Sequence, residues 1–176
     1  MAVGVRVAAE TRPPRLVVAG DWWVLLVIFG GVAGIVAVLH AVAAGRPAVD
    51  LADLAVGLAA GALLLLSLFA HEGGHAVAGL IVGRAPTSLR LAAIPSVRFG
   101  PEPLHGWQLV VVAVAGPVVD LLCGTLLITL TAVPVSLIGW VTIANGVCNL
   151  IPLRGSDGRQ ALDGLRDLRR HRGGGA

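Results

Sequence analysis

The chain has 176 residues, 56% of them hydrophobic and 13% charged, and a mean hydropathy of +0.88. A soluble domain keeps about a quarter of its residues charged, so this composition excludes an ordinary soluble enzyme and places the chain with membrane proteins. The formal charge is +3, and every basic residue is an arginine flanking a hydrophobic run, which reads as a topology signal and not as nucleic-acid binding.

Residues 1–21 hold Arg6, Arg12, Arg15 and Pro13-Pro14 without a sustained apolar core. They are expected to be a polar tail and not a secretion signal. Four segments then approach the roughly 20 apolar residues a membrane helix needs. The first runs from about Trp22 to Ala44, with Asp21 as its expected N-cap and Trp22-Trp23 as an interfacial anchor. The second runs from about Leu54 to Gly83, the third from Trp107 to Thr131, and the fourth from Pro134, a good first-turn residue, to Leu150. Only "TAV" separates the last two, so a tight antiparallel hairpin is expected. Gly30 with Gly34, and Gly57 with Gly61, have the small-xxx-small spacing of close helix contacts, a spacing common by chance in a chain this rich in glycine and alanine.

Between the second and third spans, "TSLRLAAIPSVRFG" alternates apolar and polar residues around Pro95, the pattern of a short β-hairpin or loop at the membrane surface. After the fourth span, Leu162, Leu165 and Leu168 recur at helical spacing among arginines. That predicts a short interfacial helix, weakened by Gly164, before a disordered "GGGA". Cys123 and Cys148 lie in apolar segments and read as small packing residues, not as a disulfide framework. The expected architecture is thus an all-α polytopic membrane protein with about four transmembrane helices and a cytoplasmic-side hairpin or loop. A membrane-embedded domain, 22–158, lies between a cytoplasmic tail, 1–21, and a second tail, 159–176.

With four spans, the N-terminal tail, the second loop and the C-terminal tail share one side. They hold 12 arginines, against Arg46 alone on the other side. The positive-inside rule then puts both termini in the cytoplasm of a multi-pass cell-membrane protein.

The chemistry lies in "FAHEGGHAVAGLIVGR", Phe69 to Arg84. An ionisable side chain inside an apolar helix costs about 2.5–3.5 kcal/mol on insertion scales, so three together call for a function. His71 and His75 are one helical turn apart with Glu72 beside them. This H-E-x-x-H arrangement offers two imidazole ligands for zinc and a glutamate placed to handle the proton of an activated water. A third protein ligand is required, and His40, Glu102, His105, Asp120 and Asp157 are the candidates. His40 falls at the outer end of the first span, and Glu102 and His105 fall in the cytoplasmic loop. Asp120 lies at a depth similar to the motif. Asp157 reaches it only if the chain unwinds near Pro152 or a water-filled cavity opens from the cytosol, and depth does not separate the two.

"HEGGH" in one apolar segment, "AGP" (Ala115 to Pro117) in the next and "NLIPLRGSDG" (Asn149 to Gly158) in a later one resemble the site-2 protease family of intramembrane zinc metalloproteases. The resemblance covers Ala52 to about Leu165. It implies that His71, His75 and Asp157 ligate Zn2+, that Glu72 is the catalytic acid/base, and that Asn149 positions the substrate or transition state. It also implies a substrate that is itself a membrane protein with a transmembrane segment. Such a segment must unwind to be cut, and the alternating stretch Leu89 to Phe99 offers a strand edge to hold it. Two positions depart from the family pattern. Arg159 follows Asp157-Gly158 where many members have a second glycine. Asp120 stands where members with "AGPxxN" have asparagine; it is protonated, paired with Asn145 or Asn149, or a competing ligand. The rival readings are a zinc transporter, which usually has more spans and further ligands along a path, and an inactive relative that binds membrane segments without cutting them.

Overall fold

The structure is a computed structural model that describes residues 13–173, Ala132 and Pro134 excepted. The expectations for Arg6 and Arg12, for Pro134 as a first-turn residue, and for the last three residues of "GGGA" lie outside the described residues. The chain is mostly helical, with α1 at Val24–Ala43, α2 at Leu51–Ile81, α3 at Gly106–Leu130, α4 at Ser136–Leu150 and α5 at Asp157–Gly173. Strands β1 (Arg15–Val18), β2 (Pro86–Leu91) and β3 (Ser96–Phe99) form one small sheet in the order β1-β2-β3. Three helices, α1, α2 and α3, are long and apolar enough to cross a membrane, and α4 is an apolar helix of 15 residues.

The helices reverse the usual distribution of polarity. Leu26, Ile35, Leu66 and Leu122 point outward and are more than half exposed, whereas Asp53, His71, His75, Asp120 and Thr142 are buried. Water would penalise that arrangement, and a hydrocarbon surround suits it.

The start of α1 differs from expectation. Trp23, not Asp21, is its N-cap, and no side chain caps it. Backbone bonds of the tight-turn type, from Val24 N to Asp21 O and from Leu25 N to Trp22 O, lead directly into the helix, leaving the Asp21 carboxylate no capping role. By contrast, α2 opens with a reciprocal capping box. Asp53 N donates to Asp50 Oδ1 at 3.0 Å, and Asp50 N donates to Asp53 Oδ2 at 2.9 Å. Asp53 also accepts from His40 Nδ1 at 2.6 Å and from Arg46, so the α1–α2 turn closes on a buried carboxylate.

Glycines set how closely the helices approach. A Cβ at Gly57 would lie 2.1 Å from Ala33 O, and one at Gly61 would lie 2.9 Å from the Phe29 ring, so this pair joins α1 to α2. A Cβ at Gly30 or Gly34 would meet nothing within 4 Å among the described residues. Between α3 and α4, Gly124 and Gly139 oppose each other, and a Cβ on either would meet the other's carbonyl oxygen at 2.6 Å. Both cysteines are free, Cys148 being exposed on α4.

The stretch Leu89 to Phe99 does form a hairpin. Strands β2 and β3 are antiparallel, with Leu89 opposite Val97 and Arg90 opposite Ser96. Part of the expected polar tail joins them, because β1 pairs parallel to β2 from Arg15↔Ser88 to Val18↔Leu91. β2 is therefore the central strand and β3 an edge. At the same end of the molecule, α5 packs on the start of α3, where a Cβ at Gly164 would lie 2.7 Å from Gly106 O. Gly164 weakens a free helix but here permits this contact. The N-terminal strand, the hairpin and α5 thus gather at one end of the bundle, and the His40–Arg46–Asp53 cluster marks the other.

Asp50→Ala removes a cap and is expected to cost about 1 kcal/mol. Asp53→Ala also strips the buried partner from His40 and Arg46, so it lowers the unfolding temperature in detergent further than Asp50→Ala. Equal shifts would mean that the cluster contributes only through the helix cap.

Candidate metal centre

His71 and His75 lie one turn apart on α2, 6% and 8% exposed, with their rings edge to face. Their Nε2 atoms are 3.1 Å apart. His75 Nδ1 is 2.7 Å from the Val112 carbonyl oxygen on α3. A carbonyl only accepts, so Nδ1 carries the hydrogen, and in the neutral ring Nε2 then presents its lone pair. His71 Nδ1 is 2.7 Å from Asp120 Oδ2, and Asn145 Nδ2 of α4 donates to the same oxygen at 2.8 Å.

Asp157 completes the cluster, its Oδ2 lying 3.2 Å from His71 Nε2 and 3.5 Å from His75 Nε2. One ligand atom from each of the three residues falls within 4.8 Å of the others, the one such cluster among the described residues. The local sequence explains how Asp157 arrives there. After Leu150 the chain turns to extended geometry at Ile151, and Pro152, without an N–H, cannot continue the helix. Gly155 takes the left-handed region at φ +88°, which glycine adopts without penalty. Ser156 Oγ then accepts from Arg159 N at 3.2 Å, as an N-cap does, and starts α5 with Asp157 in its first turn. Gly158 is required by contact, since a Cβ there would lie 2.0 Å from Leu150 O. The unwinding near Pro152 required for Asp157 to reach the motif is present.

Gly116 has a comparable role on α3. A Cβ at this position would come within 2.4 Å of His75 Nε2 and 2.7 Å of His71 Nε2. The "AGP" segment therefore places a helix backbone where any side chain would fill the space between the histidines.

A cavity of about 300 Å³ opens beside the cluster, lined by Glu72, Asn149 and, from the hairpin, Ile94 and Pro95. Glu72 Oε2 accepts from the Val97 N–H of β3 at 2.9 Å. The other candidate ligands are elsewhere: His40 bonds Asp53 at the far end, Glu102 pairs with Arg84, and His105 is exposed, 3.7 Å from Asp167. Asp120 meets His71 through the nitrogen that faces away from the cluster. Sequence reasoning did not find the roles of Val112, Gly116 and Val97. Two of these act through backbone groups and leave no trace in residue type, while the glycine of "AGP" was a visible signal without a location. Compared with protein-family models, with curated proteins and with solved structures, the chain matches none.

Overpacking a tight contact costs about 1–3 kcal/mol. Gly116→Ala should therefore weaken divalent-cation binding by roughly 5- to 150-fold while the protein still folds. Cobalt titration of the purified variant, read by visible absorption, checks this. Affinity equal to wild type would show that α3 yields without disturbing the histidines.

Proposed function

We propose that this protein is a zinc-dependent intramembrane endopeptidase, cutting peptide bonds in or near the transmembrane segments of membrane-protein substrates. The observation that carries the reading is the convergence of His71, His75 and Asp157 beside Glu72, in a cavity bordered by apolar helices and the hairpin. The donor set fits the ion. Two ligands held tetrahedrally at zinc distances of about 2.0–2.1 Å lie roughly 3.3–3.4 Å apart. The three spacings here are 3.1, 3.2 and 3.5 Å. Three protein ligands with an open fourth position are what a catalytic zinc requires. When bound there, zinc would supply Lewis acidity for water activation and for polarising a carbonyl.

The chain's own groups supply the rest. Glu72 takes the proton of the attacking water and returns it to the leaving amine. The Val97 N–H holds its carboxylate on the cavity side. Asn149 offers amide donors to a substrate carbonyl in the same cavity. The outer edge of β3, where the Val97 N–H already bonds Glu72, borders this space, so an unwound substrate segment would add as a strand along the rest of that edge and not at the central β2.

The same reading carries an arrangement in the bilayer. α2 is roughly 46 Å long against a hydrocarbon core of about 30 Å. His75 precedes its end at Ile81 by roughly 9 Å. The sheet, α5 and most of the arginines lie at that end, which we assign to the cytoplasm. α4 is the fourth crossing. At 15 residues it is short because it stops at the depth of the cavity, where irregular backbone is tolerated in contact with water.

Purified wild-type protein should carry about one zinc per chain and Asp157→Ala none. Reconstituted with single-span reporters tagged at both ends, the wild type should release shortened fragments. Glu72→Gln should keep its zinc and cut roughly 10²–10⁴-fold more slowly. Reporters that stay full length with zinc-loaded wild type would favour an inactive binder, and zinc flux into the vesicles would favour a transporter.

A further inference from the structure

Asp120 is 1% exposed, and its hydrogen-bonding partners among the described residues, His71 and Asn145, carry no fixed charge. No arginine is paired with it there. A carboxylate buried without a counter-ion is strongly disfavoured. Nothing in local packing requires an acid here: Gly146 of α4 packs against the Asp120 Cβ, and an asparagine would fill the same volume. A positive charge close by is either the His71 imidazole itself, when both its nitrogens carry hydrogen, or a cation beyond that ring, among the Nε2 atoms and Asp157.

We propose that Asp120 is a positioning residue for the metal centre: it holds His71 with hydrogen on Nδ1 and supplies the second carboxylate charge that balances a divalent cation across the imidazole. This rests on the metal reading given above. A carboxylate accepting from Nδ1 at 2.7 Å leaves the Nε2 lone pair facing the cluster, as the Val112 carbonyl does for His75. Both imidazoles are then neutral donors. Asp157 and Asp120 contribute one negative charge each, and together they match the two positive charges of the ion before Glu72 is counted. A carboxylate behind a ligating histidine also raises the basicity of the ring. The bond from Asn145 to the same oxygen fixes the carboxylate from the α4 side, so three helices define the direction of one imidazole.

The test uses the full chain in detergent, comparing wild type with Asp120→Asn, Asp120→Ala and Asn145→Ala. Zinc affinity is measured by competition with a chromophoric chelator. Loss of such a partner typically weakens binding about 10- to 100-fold. Both Asp120 variants should fall in that range at unchanged stoichiometry, and Asn145→Ala, which leaves the His71 bond in place, should lose less. In parallel, ¹⁵N NMR of the imidazoles in metal-free protein, at a pH high enough that both rings are neutral, reads the tautomer of His71, identified by comparison with His71→Gln. The wild type should show hydrogen on Nδ1, a preference that Asp120→Ala removes. Wild-type zinc affinity in Asp120→Asn together with an unchanged His71 tautomer in Asp120→Ala would overturn the proposal and leave Asp120 as a tether for α4. A wild type that binds no zinc would instead overturn the metal reading and the charge-balance role; the tautomer comparison then decides the positioning role alone.

Discussion

Two imidazoles and two carboxylates sit inside a bundle of apolar helices, and each must be compensated where it lies. That constraint organises the interior of this protein. His75 donates to a backbone carbonyl of α3, His71 meets Asp120, Asp120 also takes the amide of Asn145, and Asp157 closes the cluster from the first turn of α5. Leaving any of these groups unpaired in a low-dielectric interior would cost more than the bond itself contributes. The partners come from four different helices, so satisfying the polar groups also fixes how those helices are arranged.

Such an arrangement is possible only because the backbones approach very closely. Gly116 admits α3 to the face of the histidine pair, Gly158 admits α5 to the end of α4, and Gly124 with Gly139 lets α3 and α4 cross in contact. Without a hydrophobic drive between helices in lipid, close van der Waals packing of small residues is a main source of helix association. The same glycines therefore build the scaffold and leave room at its centre. The short α4 belongs to this logic. A longer helix would carry Asp157 away from the histidines, whereas the break at Pro152 returns it.

The two ends of the bundle serve different purposes. At one end, His40, Arg46, Asp50 and Asp53 form a closed set of ionic and capping contacts that fastens the α1–α2 turn. At the other, the hairpin places its apolar tip and an edge strand beside the cavity, and Val97 reaches Glu72 through its backbone. This end combines an acidic side chain, a polar cavity and an edge strand tied to that side chain through its backbone.

Much of this was legible in the chain itself. Apolar runs of the right length gave the helices, alternation around Pro95 gave the hairpin, and the four-residue spacing of His71 and His75 put both on one helical face, because the helical period is fixed by backbone geometry. Asp120 and Asp157 could not be ranked that way, since both fell at plausible depth and distance along a helix says nothing of the direction a side chain takes across the bundle. Nor did the tail before Trp22 announce a strand, because β1 exists only through its pairing with β2. Sequence by itself determined the elements and the chemically capable residues, which depend on local period and residue type. The tertiary structure decided which carboxylate faces the histidines and which stands behind them, because that depends on close helix contacts, a helix break and backbone hydrogen bonds between segments far apart in the chain.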